Sequence, residues 1–146
     1  MSEFKTITDW FYAAGQIEPA DIALAKQAGV VAVVNNRPDG EASGQPSGDA
    51  IRAAAEDAGL AYTAIPIGPA GFGAQDVEAL AQALDDADGP VLGFCRSGTR
   101  STLLWALAQA RKGRDLDAIA KDAAQAGYDV SPVRPAMEQL AARAGS

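Results

Sequence analysis

The chain holds one cysteine, Cys95, followed by Arg96-Ser97-Gly98-Thr99-Arg100-Ser101. A short apolar run, Pro90-Val91-Leu92-Gly93-Phe94, precedes it, and residues 101–110 carry helical periodicity. The thiol therefore falls where a strand ends and a tight loop turns into a helix. At such a place the backbone N–H groups of the loop and of the helix's first turn converge and favour negative charge. A sulfur there is stabilised as thiolate, and a neighbouring arginine adds to the effect. The same cup of N–H groups accommodates an oxyanion, whether phosphate, sulfate, thiosulfate or the charge on a persulfide. A lone cysteine in a strand is more often a buried small hydrophobe. Here two cations flank it, and a glycine stands where the backbone must bend, a combination with few purely structural uses.

The spacing from Cys95 to Arg100 is cysteine, four residues, arginine. In this the loop resembles the active-site loop of the rhodanese sulfurtransferases, which places a cysteine, an arginine, a glycine and a closing arginine at the same relative positions. Protein tyrosine and dual-specificity phosphatases use a loop one residue longer, usually with a histidine before the cysteine. Phe94 occupies that place here, and the chain has no histidine. A shorter loop makes a smaller ring of N–H groups, which suits the terminal sulfur of a persulfide better than a tetrahedral phosphate. The expectation is therefore sulfur transfer. Cys95 attacks a small-molecule donor such as thiosulfate or a persulfide. It becomes a persulfide and passes that sulfur to a thiol, sulfite or cyanide acceptor in two covalent steps. On the rhodanese resemblance Arg100 holds the donor anion or braces the loop through its planar fork. Arg96 binds the donor's negative end or reaches solvent, and Ser97, Gly98 and Thr99 supply backbone N–H groups. The hydroxyl of Ser101 or Thr102 bonds the sulfur or caps the helix.

A second motif, Val30-Val31-Ala32-Val33-Val34-Asn35-Asn36-Arg37-Pro38-Asp39-Gly40-Glu41, is a β-branched run broken by a polar turn. With the Cys95 loop and Gly15-Gln16-Ile17, it resembles a bacterial family of small proteins with a dual-specificity-phosphatase-like fold. That family also occurs fused to a β-lactamase-like sulfur dioxygenase domain, and its members have been called both phosphatases and sulfurtransferases. The resemblance runs from about Trp10 to about Gly127. It implies a phosphatase-type fold carrying a rhodanese-length loop, with a sulfur dioxygenase as a partner. Arg37 either joins the arginines of the Cys95 loop in binding substrate or belongs to a solvated turn in which Asp39 bonds its own backbone. Two rival functions stand beside sulfur transfer. In a cysteine-dependent phosphatase Cys95 attacks phosphorus, Arg100 cradles the transferred group, and an acid protonates the leaving oxygen. Asp39 is one candidate for that acid; Asp76 fits better as the first turn of a helix. In a non-enzymatic persulfide carrier or redox sensor, the modified Cys95 is read by a partner protein.

These residues need a scaffold, and the sequence outlines one. The 146 residues fit a single domain over residues 1–146, and at 48% apolar they can build a core. Trp10-Phe11-Tyr12-Ala13-Ala14 reads as a first strand, all three aromatics as core. A helix over 19–28 stops at Gly29. The run 30–35 lacks polar alternation and reads as a strand buried on both faces. A Gly-, Pro- and Asp-rich loop over 36–47 leads to a helix over 49–58, a third strand over 60–67 and a loop over 68–73, where Phe72 is placed to cover a pocket. Helices over 74–85, 101–112, 115–126 and 132–144 surround a fourth strand ending at Cys95, with Trp105 in the core. Alternating strands and helices predict an α/β domain: a mainly parallel sheet of four to five strands with helices on both faces, of the protein-tyrosine/dual-specificity-phosphatase type by the resemblance. Such sheets bind ligands beyond the C-terminal ends of their strands, which brings the 36–41 loop and the Cys95 loop to one pocket.

Net charge is −7, which argues against nucleic acid or an anionic membrane as partner. One cysteine forms no internal disulfide. The first residues carry no apolar segment of signal-peptide length and no run is long enough to span a bilayer, so a cytoplasmic location is expected. Without a cysteine/histidine cluster no zinc or other metal site is expected, and the sequence calls for no cofactor.

Overall fold

A computed structural model describes residues 4–144. The elements are β1 (Phe4–Thr8), β2 (Phe11–Ala14), α1 (Asp21–Gln27), β3 (Ala32–Asn35), α2 (Gly48–Asp57), β4 (Ala61–Ala64), α3 (Ala74–Asp86), β5 (Val91–Phe94), α4 (Thr99–Arg111), α5 (Leu116–Gln125) and α6 (Arg134–Ala144), with a 3-10 turn at Ser131–Val133 before the last helix. They form a five-stranded sheet of order β1-β2-β5-β3-β4. Strands β2, β5, β3 and β4 run parallel, and β1 pairs antiparallel with β2. The expected mainly parallel α/β sheet is present, with one strand beyond those read from the sequence.

Side-chain alternation sorts the strands between two cores. Phe11, Ala13, Ala32, Val34 and Val91 face a core built with α3, α4, α5 and α6. Ala14, Val33, Leu92 and Phe94 face a smaller core with Ile22 and Ala25 of α1 and Ile51 and Ala55 of α2. Both faces of the sheet are thus covered, which is why β3 and β5 are buried at every residue. Within β5, Gly93 allows close approach of its neighbours. A Cβ there would lie 2.8 Å from the Phe11 ring and 3.3 Å from Ser101 Cβ. Leu104, Trp105 and Leu107 of α4 are buried, and the Trp105 ring stacks on Phe11 with centroids 5.9 Å apart.

Three expectations are corrected here. Trp10 is 65% exposed, because it stands in the tight turn between β1 and β2, where its N–H donates to Thr8 Oγ1. Phe72 packs against the larger core instead of covering a pocket. Helix α4 begins at Thr99, two residues earlier than its periodicity suggests, because Gly98 turns the chain directly into the helix. Among the described residues no helix is long and apolar enough to cross a membrane.

Candidate active site

Strand β5 ends at Phe94 and delivers Cys95 to the C-terminal edge of the sheet. Two neighbouring strand ends hold it there. Cys95 N–H donates to the Ala14 carbonyl at the end of β2, and Asn36 N–H, just past β3, donates to the Phe94 carbonyl. Gln16 N–H reaches the Arg96 carbonyl, and Gly15 makes that approach possible: a Cβ on Gly15 would stand 2.9 Å from the same carbonyl oxygen. The upstream Gly15-Gln16 pair is therefore a wall of the Cys95 loop.

The loop closes on its own sulfur. Gly98 N–H donates to Cys95 Sγ at 3.1 Å, in a backbone at φ +88° that L side chains rarely adopt. Gly98 is also the residue from which α4 starts. The N–H groups of Thr99, Arg100 and Ser101 open the helix and have no carbonyl one turn back to bond. The head of the helix thus lies beside the thiol, and it favours an anion at that point. Cys95 itself is fully covered.

Arg100 projects from the first turn of α4. It makes a two-pronged pair with Glu41, Nη1 to Oε2 and Nη2 to Oε1, both 2.8 Å, and Nη1 also donates to the Ile67 carbonyl at 2.7 Å. The carboxylate beside it raises the guanidinium's pKa, and the sulfur of Cys95 adds to the effect. Glu41 is shared with Arg37, whose Nε donates to Oε1 at 2.9 Å. Hydrogen bonds from Arg100 first and Arg37 second lower the Glu41 pKa from 4.5 to about 2. Arg37 is buried and also donates to Gln16 Oε1. The 36–41 loop and the Cys95 loop do meet, and the meeting point is the Glu41 carboxylate between two arginines.

The other sequence-derived candidates fall as follows. Arg96, Ser97 and Thr99 are exposed, and Ser97 Oγ–H donates to Thr99 Oγ1. Neither hydroxyl of the Ser101-Thr102 pair bonds the sulfur. Ser101 Oγ–H donates to Asn36 Oδ1 at 2.7 Å, and Thr102 Oγ1–H to the Gly98 carbonyl. Asn36 in turn donates to the Ile65 carbonyl, so these polar side chains tie α4 to the ends of β3 and β4. Asp39 does not bond its own turn: its Oδ1 accepts from Gly48 N–H, at the start of α2. Asp76 lies in the first turn of α3, as its sequence context suggests, and accepts from Gly73 N–H.

Two contacts escape a reading by residue type. Tyr128, after α5, donates its phenol O–H to the Ser97 carbonyl at 3.1 Å. Its oxygen would lie 2.2 Å from a Cβ on Gly98. Nothing in the residues around Tyr128 signals this, since the contact spans 31 positions. Glu41 had a signal, standing four residues after Arg37 in a motif already singled out, but its partner Arg100 is 59 positions away.

Comparison with known proteins sets this geometry in a family. Residues 3–112 match the family model described as beta-lactamase hydrolase-like protein, phosphatase-like domain. A beta-lactamase hydrolase-like protein of Xylella fastidiosa is 42% identical over 86 residues, 59% of this chain and 20% of that one, so the match spans about a fifth of the relative's length. The crystal structure of a candidate phosphatase from Neisseria meningitidis superposes with a TM-score of 0.79 at 31% identity, covering 93% of this chain and 96% of that one. A Cys-to-Ser variant of P. aeruginosa TpbA in complex with pTyr has the same fold, with a TM-score of 0.68 at 20% identity over 98% and 90% of the two chains.

These matches overturn the expectation of sulfur transfer. The rhodanese spacing is a likeness of the loop alone, whereas the matched model and the superposition extend over most of the chain and are phosphatase-like. Sizing the loop by its residue count omitted what shapes it. The left-handed Gly98 turns its N–H onto the sulfur, and Arg100 enters the site as a side chain from α4. The missing histidine carries little weight either, because Phe94 is fully buried in the smaller core.

Proposed function

The chain belongs to the family of the beta-lactamase hydrolase-like protein, phosphatase-like domain, and on that premise we propose that it is a cysteine-dependent phosphatase acting on phosphate monoesters. The observation that carries the reading is the thiol of Cys95 at the head of α4, with the Gly98 N–H on its sulfur and the Arg100 guanidinium beside it. In the first step Cys95 Sγ attacks phosphorus and the ester oxygen leaves. In the second, water attacks the phosphocysteine and the sulfur leaves. The loop N–H groups and Arg100 face the charge on the transferred phosphoryl oxygens, where fixed donors count most. Arg96, Ser97 and Thr99, exposed around the thiol, border the incoming ester. Arg37 works behind them, holding Glu41, which holds Arg100. The pTyr bound to the TpbA variant supports a phosphorylated side chain as the kind of group this site takes. A cytoplasmic setting suits the proposal, since a reducing compartment keeps Cys95 as a thiol.

The test is hydrolysis of an aryl phosphate by the purified chain, with intact-mass detection of a phosphoryl adduct after rapid acid quench. Turnover by the wild type, with none by Cys95→Ser and no adduct on that variant, is the expected result. Undiminished turnover by Cys95→Ser would remove Cys95 from the mechanism.

A further inference from the structure

At the edge of the sheet opposite Cys95, where β2 and β5 begin, a cavity of about 510 Å³ opens between the β1–β2 turn, the end of α3 and the second half of α4. Its volume falls within the range of small-molecule sites, about 300–1,000 Å³. It is not the Cys95 site: about 15 Å of helix, at 1.5 Å per residue, separate Gln109 on its wall from Thr99 at the head of α4. Three aromatic side chains line it, Trp10, Phe11 and Trp105. Phe11 and Trp105 are buried and stack on each other, whereas Trp10 is exposed. The Trp10 backbone is nevertheless fixed on both sides. Its N–H donates to Thr8 Oγ1, and its carbonyl accepts from Val91 N–H, each at 3.0 Å. The fold thus holds an indole at the cavity and, among the described residues, stacks no ring on it. Gln109 is the second unused group. It is half-buried while the rest of α4 from Ser101 to Ala110 is buried, and its side-chain amide bonds no protein group among the described residues. That amide offers a donor and an acceptor side by side. Two cations also line the cavity, and both are already neutralised: Lys112 pairs with Asp85 and Arg114 with Asp122. The Arg114 guanidinium lies over the Trp105 ring, 5.9 Å from its centroid. The cavity therefore presents a ring face and an amide edge, with no uncompensated charge.

We propose that this cavity is a second ligand site, and that it binds an uncharged planar heterocycle with a hydrogen-bond donor beside an acceptor, the pattern on the edge of adenine, as in a nucleoside. The ring stacks on Trp10, as bases do on aromatic side chains. The Gln109 amide pairs with the edge of the base through two bonds, as amide side chains do with adenine N6 and N7. The chain's net charge of −7 disfavours a polyanion, and a nucleoside carries no phosphate. No bond forms or breaks in this cavity, so the proposal stands whether or not Cys95 hydrolyses phosphate esters.

The experiment titrates adenosine into the full chain and follows it by calorimetry and by tryptophan emission. Both of the chain's tryptophans line the cavity, so the emission reports on this site. Ribose is the control without a ring, and naphthalene-2-sulfonate is an aromatic anion without the donor–acceptor edge. The expected result is saturable binding of adenosine with a change in emission, and none of ribose. Trp10→Ala and Gln109→Leu should each weaken the affinity by about tenfold or more, the scale of one base stack and of one two-bonded amide pair. Trp10 is exposed, so its replacement leaves the fold intact, and an unchanged urea midpoint checks this for both variants. Cys95→Ser should bind adenosine as the wild type does. Four results would overturn the proposal: no saturation at millimolar adenosine, undiminished binding in either cavity variant, tighter binding of naphthalene-2-sulfonate than of adenosine, or loss of adenosine binding in Cys95→Ser, which would place the nucleoside at the thiol loop.

Discussion

At the residue scale, the site depends on one carboxylate held by two arginines. Glu41 gives Arg100 a bidentate partner, and Arg37 keeps Glu41 in place. Replacing Glu41 with Gln keeps the size and removes the charge, so Arg100 loses its orientation while Cys95 is untouched. We expect kcat/KM on an aryl phosphate to fall by up to about 10²-fold, the scale of a small misplacement near the reacting atoms. Arg100→Lys should fall at least as far, since lysine lacks the planar fork. Glu41 also has a pH signature. Its folded pKa, about 2, lies below the ordinary 4.5, so its contribution to stability is complete above about pH 4.5 and is lost as pH falls toward 2. Thermal melts between pH 5 and 2 should show a shallower decline for Glu41→Gln than for the wild type; identical slopes would remove the linkage. Cys95 and Arg100 were legible because their spacing is local. Their link to Glu41 was not, because it forms only when two distant strand ends are brought side by side.

Elements determine whether the loop keeps its shape. Gly98 sits at positive φ with the Tyr128 oxygen where a Cβ would go, and Tyr128 bonds the carbonyl just before it. Gly98→Ala should therefore cost about 1–2 kcal/mol for the left-handed backbone alone, with the clash added. Tyr128→Phe should cost about 1 kcal/mol for the hydrogen bond. In urea unfolding of the two single variants and the double variant, the losses should fall short of additive, because removing the phenol oxygen relieves the clash. Strict additivity would mean that Tyr128 and the loop do not interact. The helices were legible because their periodicity and their glycine stops are local. Strand β1 was not, although Thr6-Ile7-Thr8 has β-forming residues, because a five-residue edge strand with only Ile7 buried gains its pairing only from β2.

For the whole molecule, stability and chemistry share one helix. Helix α4 runs through the larger core with Trp105 buried against Phe11, and its head forms the site. Trp105→Ala should lower the unfolding free energy by about 3–5 kcal/mol, read as a lower urea midpoint; a loss under 1 kcal/mol would show that this core is loosely packed. The parallel α/β plan was legible in the alternation of runs. The strand order was not, because pairing between distant strands leaves no local mark. Function was misread where a loop of six residues was weighed apart from the sheet that carries it. The chain's one thiol is also its most informative one, fully covered by the loop that would use it. An alkylating reagent can reach it only when that loop parts from the strand ends. Labelling rate, set against a free thiol, then becomes a built-in clock for how often the site opens.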